Sequence, residues 1–277
     1  MRRQAPLRYL ATVVALVTLG TFALSACGDD DNDKASSTTS TTAALTGTAA
    51  ACDGVLQADA AAGQAGPPGG SDQPPTPEQG KAFAKALQPH VEDFAANAPA
   101  DMKDTATQLK SIVDGAVASG DISHLDPSDP TFGSLLAKTE GWVHDTCGYQ
   151  NVDVGAMDYS YQGVPATLKP GPTSIAMTNH ATDEFHELNV IRLKDDAKVT
   201  ADQLIDAIKK DANAAQQQYG DQLDILANTG APPGQMAATT TTLTKGSYVV
   251  ACFVPIGGKD GAPPHAQEGM IGKFTVS

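Results

Sequence analysis

Tyr248-Val249-Val250-Ala251-Cys252-Phe253-Val254 opens the stretch from which the fold is read, residues 248–277. A Gly- and Pro-rich passage follows, then His265-Ala266-Gln267-Glu268-Gly269-Met270 and Ile271-Gly272-Lys273-Phe274-Thr275-Val276. The first segment is dense in β-branched and aromatic residues, the composition of a strand. In the last, Met270, Gly272, Phe274 and Val276 alternate with Ile271, Lys273 and Thr275, the two-residue period of a strand with one buried face. A thiol therefore sits near the end of one strand, an imidazole in the loop, and a thioether where the next strand opens.

Working back, the same period predicts strands over 156–161, 166–169, 173–178, 185–193 and 237–243. Pro165, Lys169-Pro170-Gly171 and residues 179–183 punctuate them. The pattern breaks over 194–235, read as an insertion. Thr200-Ala201-Asp202-Gln203 is a capping box, and Leu204, Ile205 and Ile208 line one face of a helix running to Tyr219. Gly230-Ala231-Pro232-Pro233-Gly234 closes the insertion. Short strands with turn signals make 151–277 a β-sandwich.

Residues 48–150 read as a small helical bundle, so the fold class is α+β: helices first, sandwich second. An Ala-rich helix is expected over 49–61. Thr76, Pro77 and Gln79 start a second, with Phe83, Leu87, Val91 and Phe94 at helical spacing and a kink or break at Pro89. Met102, Leu109, Ile112, Val113, Ala116 and Val117 form a third stripe, ended by Gly120. Phe132, Leu135, Leu136, Trp142 and Val143 form a fourth.

The N-terminus is a different kind of sequence. Arg2, Arg3 and Arg8 precede an apolar run over 9–24, the pattern of a secretory signal over 1–26. Leu24-Ser25-Ala26-Cys27 resembles the bacterial lipobox, which implies lipidation at Cys27 and attachment to the extracytoplasmic face of the cell membrane. Arg2-Arg3 leaves the twin-arginine route open beside the general one. Residues 27–47, acidic and then Ser/Thr-rich, read as a flexible tether. The formal charge is −14, and −17 once the three leader arginines are gone. That charge disfavours nucleic acid as a partner.

The chain has four cysteines. With Cys27 taken by lipid, Cys52 and Cys147 bracket the helical segment, and in an exported chain such a pair is most simply a disulfide. The rival is a metal site at His144 and Cys147. Cys252 is left over, either as a small buried apolar residue or as a ligand. His90 and His124 read as surface or capping residues.

Cys252, His265 and Met270 are a soft donor set suited to copper, and one more imidazole would complete a trigonal His₂Cys site with a weak axial Met. His186, opening the segment Phe185-His186-Glu187-Leu188-Asn189-Val190, can supply it; His180 in the preceding turn is the alternative. With these residues placed, 154–277 resembles the cupredoxins, the blue-copper family of plastocyanin and azurin. The H-x4-M spacing of His265 and Met270 and the closing segment 270–276 carry that resemblance. It implies a Greek-key sandwich, copper as cofactor and His186, Cys252, His265 and Met270 as ligands. Three features depart from the family: twelve residues between Cys252 and His265, Glu187 where Asn is frequent, and the 194–235 insertion. The long loop makes His265 the least preorganised ligand.

The resemblance implies one-electron transfer in a membrane-anchored protein, with His265, in an exposed loop, as the exit to a redox partner protein the sequence does not identify. Other readings are a degenerate cupredoxin serving as a binding or assembly module, and copper delivery. With every copper position filled, metal-assisted hydrolysis and oxygen chemistry are disfavoured. The sequence carries no G-x-S-x-G motif and no Gly-rich phosphate loop after a strand, so an enzyme is not expected.

Overall fold

The computed structural model describes residues 45–65, 74–127 and 129–277. The leader 1–26, Cys27 and most of the tether lie outside them. Four helices come first: α1 (Thr48–Ala65), α2 (Pro77–Asn97), α3 (Lys103–Ser119) and α4 (Pro130–Thr146). Thr76 and Gln79 form the capping box at the head of α2, and Asp129 caps α4 by accepting from the Thr131 and Phe132 N–H groups. Gly120, at φ 81°, ends α3. The expected break at Pro89 does not occur: α2 continues to Asn97. Proline strips the Lys85 carbonyl of its helical partner, but Lys85 and Pro89 are both exposed, so water can take its place. Val55, Leu87, Phe94, Leu109, Phe132 and Val143 meet in the bundle core. Cys52 and Cys147 are joined as a disulfide, Cα atoms 5.7 Å apart, which removes Cys147 from any metal site.

The strands are β1 (Gln150–Met157), β2 (Ser160–Gln162), β3 (Thr167–Leu168), β4 (Gly171–Asn179), β5 (His186–Leu193), β6 (Leu223–Ala231), β7 (Met236–Leu243), β8 (Gly246–Ala251) and β9 (Ile271–Val276). The helices α5 (Ala201–Lys210), α6 (Ala212–Tyr219) and α7 (His265–Glu268) are threaded among them. One sheet has the order β2-β1-β4-β7 and the other β3-β9-β8-β5-β6. β1 runs parallel to β4 and β3 parallel to β9; the remaining pairs are antiparallel. The alternating residues of both inner faces fill the sandwich, with Met177, Leu188, Val190, Val250 and Phe274 among them. Tyr248 stacks on Phe274 at 4.7 Å, and its hydroxyl donates to the Thr244 carbonyl at 2.6 Å, so the ring is buried without leaving a polar atom unpaired.

Both outer faces are covered. Leu204, Ile208 and Ala215 of α5 and α6 pack on Ile191, Val249 and Ala251. On the other side the bundle rests on Ser174 and Thr240, which pair across β4 and β7. These small side chains let helices approach closely. His144 Nδ1 meets Ser174 Oγ at 2.9 Å. Asp59 accepts from the Thr240 N–H at 2.9 Å and its hydroxyl at 2.6 Å. Glu140 of α4 lies buried beside Asp59, and burial together with the Asp59 charge holds its carboxyl well above the usual range.

Three further sequence readings need correction. The strand expected over 156–161 is the hairpin between β1 and β2, turning at Asp158-Tyr159 with Tyr159 at φ 57°. The insertion read over 194–235 is helical only as far as Gln222, and Leu223–Ala231 is the nine-residue strand β6 paired to β5. As an edge strand it lacks the alternation of a half-buried one, so its period is invisible. The single helix expected there is two, because Asp211 turns extended at φ −165° and caps α6 through the Ala214 N–H.

Candidate metal centre

His186 is the first residue of β5, Cys252 follows the last residue of β8, and Met270 precedes the first of β9. Three neighbouring strand ends therefore bring the donors to one end of the sandwich. The Cys252 N–H donates to the Met270 carbonyl at 3.1 Å, and the Met270 N–H donates to the His265 carbonyl at 3.1 Å. Met270 is fully buried in the sandwich core with Cys252.

The twelve residues between Cys252 and His265 do not separate them in space. The His265 N–H donates to the Val254 carbonyl at 3.0 Å, the Ala266 N–H to Cys252 at 2.8 Å, and the Ile256 N–H to Pro263 at 3.0 Å. A bridge pairs Pro255 with Pro264. The loop is thus a pinched hairpin, and only its tip projects. His265 is not in an exposed loop: it opens α7 and is fully buried, as are His186 and Cys252. The expectation that His265 is an exposed exit for electrons is corrected accordingly.

The donor atoms of His186, Cys252 and His265 all lie within 4.8 Å of one another. Nδ1 of His186 is 3.0 Å from Nδ1 of His265, and Sγ of Cys252 is 3.4 Å from the latter. The two rings meet edge to face at 4.8 Å. Burial lowers both imidazoles below their ordinary pKa, with the second imidazole adding to the effect at His186. Burial, then the Glu187 charge, pushes the Cys252 thiol up to about 12. Neutral imidazoles are what a metal needs, and a thiol in this position ionises when a cation replaces its proton. Two imidazole nitrogens and one sulfur, facing inward and sealed from water, fit a soft or borderline ion such as copper.

Glu187, where the family often has Asn, ties the Cys252 segment to β5. Its N–H donates to Cys252 Sγ at 3.4 Å, and its Oε1 accepts from the Phe253 N–H at 3.0 Å and from Asn189 Nδ2 at 2.9 Å. The Tyr161 hydroxyl donates to the Glu187 carbonyl. Glu184 and Tyr159, which the sequence reading did not single out, flank His265: the Glu184 carboxylate contacts His265 Nε2, and the Tyr159 ring stands edge-on at 5.1 Å. A carboxylate two positions before His186 was the one available signal. His180 is exposed and outside the cluster, and His144 is engaged by Ser174 and, at 3.3 Å, Asp153. His124 pairs with Asp129 at the surface.

A two-sheet sandwich carrying such a cluster at one end is the arrangement that the resemblance to cupredoxins implies. No protein-family model matches the chain, and no curated protein does. Solved structures similar to it include a reduced auracyanin from Roseiflexus castenholzii, 19% identical, covering 46% of this chain and 97% of that one at a TM-score of 0.32. Auracyanin A of Chloroflexus aurantiacus, a "blue" copper protein, is 18% identical over 47% of this chain and 100% of its own, at 0.30. A copper-containing nitrite reductase of Thermus scotoductus is 12% identical over 46% and 31%, at 0.26. Such scores carry no weight for function, which rests on the side chains themselves.

Proposed function

We propose that this chain is an extracytoplasmic copper protein that carries single electrons, in which His186, Cys252, His265 and Met270 would hold the ion. The observation that carries this reading is the convergence of two buried Nδ1 atoms and one buried Sγ. When bound, copper would supply a one-electron couple, its potential tuned by the Met270 thioether and by hydrogen bonds to the sulfur. The protein holds the Sγ with the Glu187 N–H, excludes water with the sandwich core, and places both imidazoles through the strand and hairpin backbone. Complete burial of the donors favours electron transfer over a reaction on a substrate, which would need an open position. The surface pocket over the site is lined by Asp158, Tyr159, Thr182, Asp183 and Glu184, which suits a redox partner with a basic face.

The lipobox-like Leu24-Ser25-Ala26-Cys27 supports a lipid anchor on the outer face of the membrane, and the Cys52–Cys147 disulfide suits an oxidising compartment. Among the described residues no helix is long and apolar enough to cross a membrane. The test is copper stoichiometry with visible absorption. Stoichiometric copper and a strong thiolate-to-copper band, lost in Cys252→Ser, are expected. A well-folded protein with reduced Cys252 that binds no copper would leave the scaffold reading in its place.

A further inference from the structure

The Phe253–Pro264 hairpin has to hold His265 in one orientation, and backbone bonds at its base do not fix the ring. We propose that Glu184 is the positioning residue that does so, stapling the hairpin tip and the imidazole to the loop that supplies His186. The inference rests on the copper reading of the site for its purpose, though not for its geometry.

The Glu184 carboxylate has three partners from three segments. One oxygen contacts His265 Nε2. The other accepts from the Gly257 N–H at 3.1 Å and from the Tyr159 hydroxyl at 3.2 Å. Gly257 lies near the hairpin tip at φ 64°, a left-handed conformation that glycine adopts without strain. The Glu184 backbone is itself held: buried Asn179 donates through Nδ2 to the Glu184 carbonyl and to the Ala231 carbonyl, each at 2.8 Å. Asn179 Oδ1 also accepts from the Ala181 N–H at 2.9 Å. The order of support therefore runs from the end of β4, through Asn179, to Glu184, and on to His265.

The chemistry follows from the tautomer. A carboxylate at Nε2 keeps the His265 proton there and leaves Nδ1 as a lone pair facing Cys252 and His186. The nearby His186 Nδ1–H or Cys252 S–H can then donate to that lone pair in the metal-free protein. His186 Nε2 has no hydrogen-bond partner among the described residues and is left without a proton to place, whereas His265 Nε2, equally without a hydrogen bond, has the Glu184 carboxylate in ion-pair contact. Without Glu184, nothing at Nε2 prefers this tautomer over the one with Nδ1 protonated, which has to move that proton before Nδ1 can take a metal; His186, with its proton at Nδ1, gives it up when the metal binds.

Two measurements on the whole chain test this. In the metal-free protein, ¹⁵N shifts should show His265 as the Nε2–H tautomer, and Glu184→Ala should mix the tautomers and speed exchange of the Gly257 amide about tenfold. Copper affinity should fall about 10- to 100-fold in Glu184→Ala, the range for lost outer carboxylates, and less in Glu184→Gln, which keeps one acceptor oxygen. A His265 protonated at Nδ1 in the wild type overturns the proposal without any variant. So does unchanged affinity and exchange in a folded Glu184→Ala. If the wild type binds no copper, the copper reading fails, while the tautomer and exchange results still judge Glu184.

Discussion

Replacing Glu140 by glutamine removes one ionisable group from the contact between the bundle and the sandwich. Glu140 is 5% exposed and faces Asp59, whose carboxylate accepts from the Thr240 N–H and hydroxyl. Burial raises Asp59 too, while those bonds pull it back down, so the proton held by the pair resides on Glu140. A carboxyl raised in the folded state binds a proton that the unfolded chain has lost. Its contribution is whole below the unfolded pKa and disappears as pH rises toward the folded one. While the folded Glu140 keeps its proton and the unfolded one has lost it, each pH unit lowers the wild type's folding equilibrium by about tenfold. Glutamine imitates the protonated acid, donates to Asp59 and has nothing to titrate. Its advantage over the wild type should therefore be small at pH 4.5 and grow with pH above it, by up to about tenfold in the folding equilibrium per unit. The buried imidazoles pull the other way, because a lowered pKa makes stability rise with pH toward 6.5, so the informative quantity is the difference between variant and wild type. Urea unfolding followed by fluorescence of the single tryptophan, Trp142 in α4, reads it at each pH. A difference that stays flat from pH 5 to 8 would refute the shared proton.

With the Cys252 thiol at about 12, metal binding displaces one proton, so apparent copper affinity should rise about tenfold per pH unit from 6.5 to 8.5; competition titrations showing no pH dependence would contradict it. Met270→Leu should keep the colour and raise the reduction potential, because an apolar axial position disfavours the more highly charged oxidised ion; voltammetry shows the direction. Breaking the Cys52–Cys147 bridge, which closes a separation of 95 residues, should cost at most about 4.7 kcal/mol by chain entropy, measured as a shift in denaturation midpoint. Gly80→Ala would put a Cβ 2.1 Å from the Gly120 carbonyl oxygen, where only backbone can yield, and should destabilise by about 1–3 kcal/mol or more in thermal unfolding.

Patterns within one element were legible in the sequence. The period-two alternation of 270–276, the Thr76 and Thr200 capping boxes and the stop at Gly120 depend on neighbours a few residues apart, and each is present as read. The pairing of Cys52 with Cys147 followed from cysteine arithmetic. His186 and Cys252 were equally visible as candidates, because each stands at a strand end or just beside one, and the structure brings both together with His265. Strand β6 was not, since an edge strand with mixed exposure has no period to detect. Nor was the burial of His265: hydrogen bonds between 252–256 and 263–266 set it, and they turn a twelve-residue gap into a hairpin stalk. The roles of Glu184 and Glu140 are likewise tertiary. A carboxylate looks the same in any sequence, and only the atoms folded against it decide whether it is solvated, orients an imidazole, or keeps a proton at neutral pH.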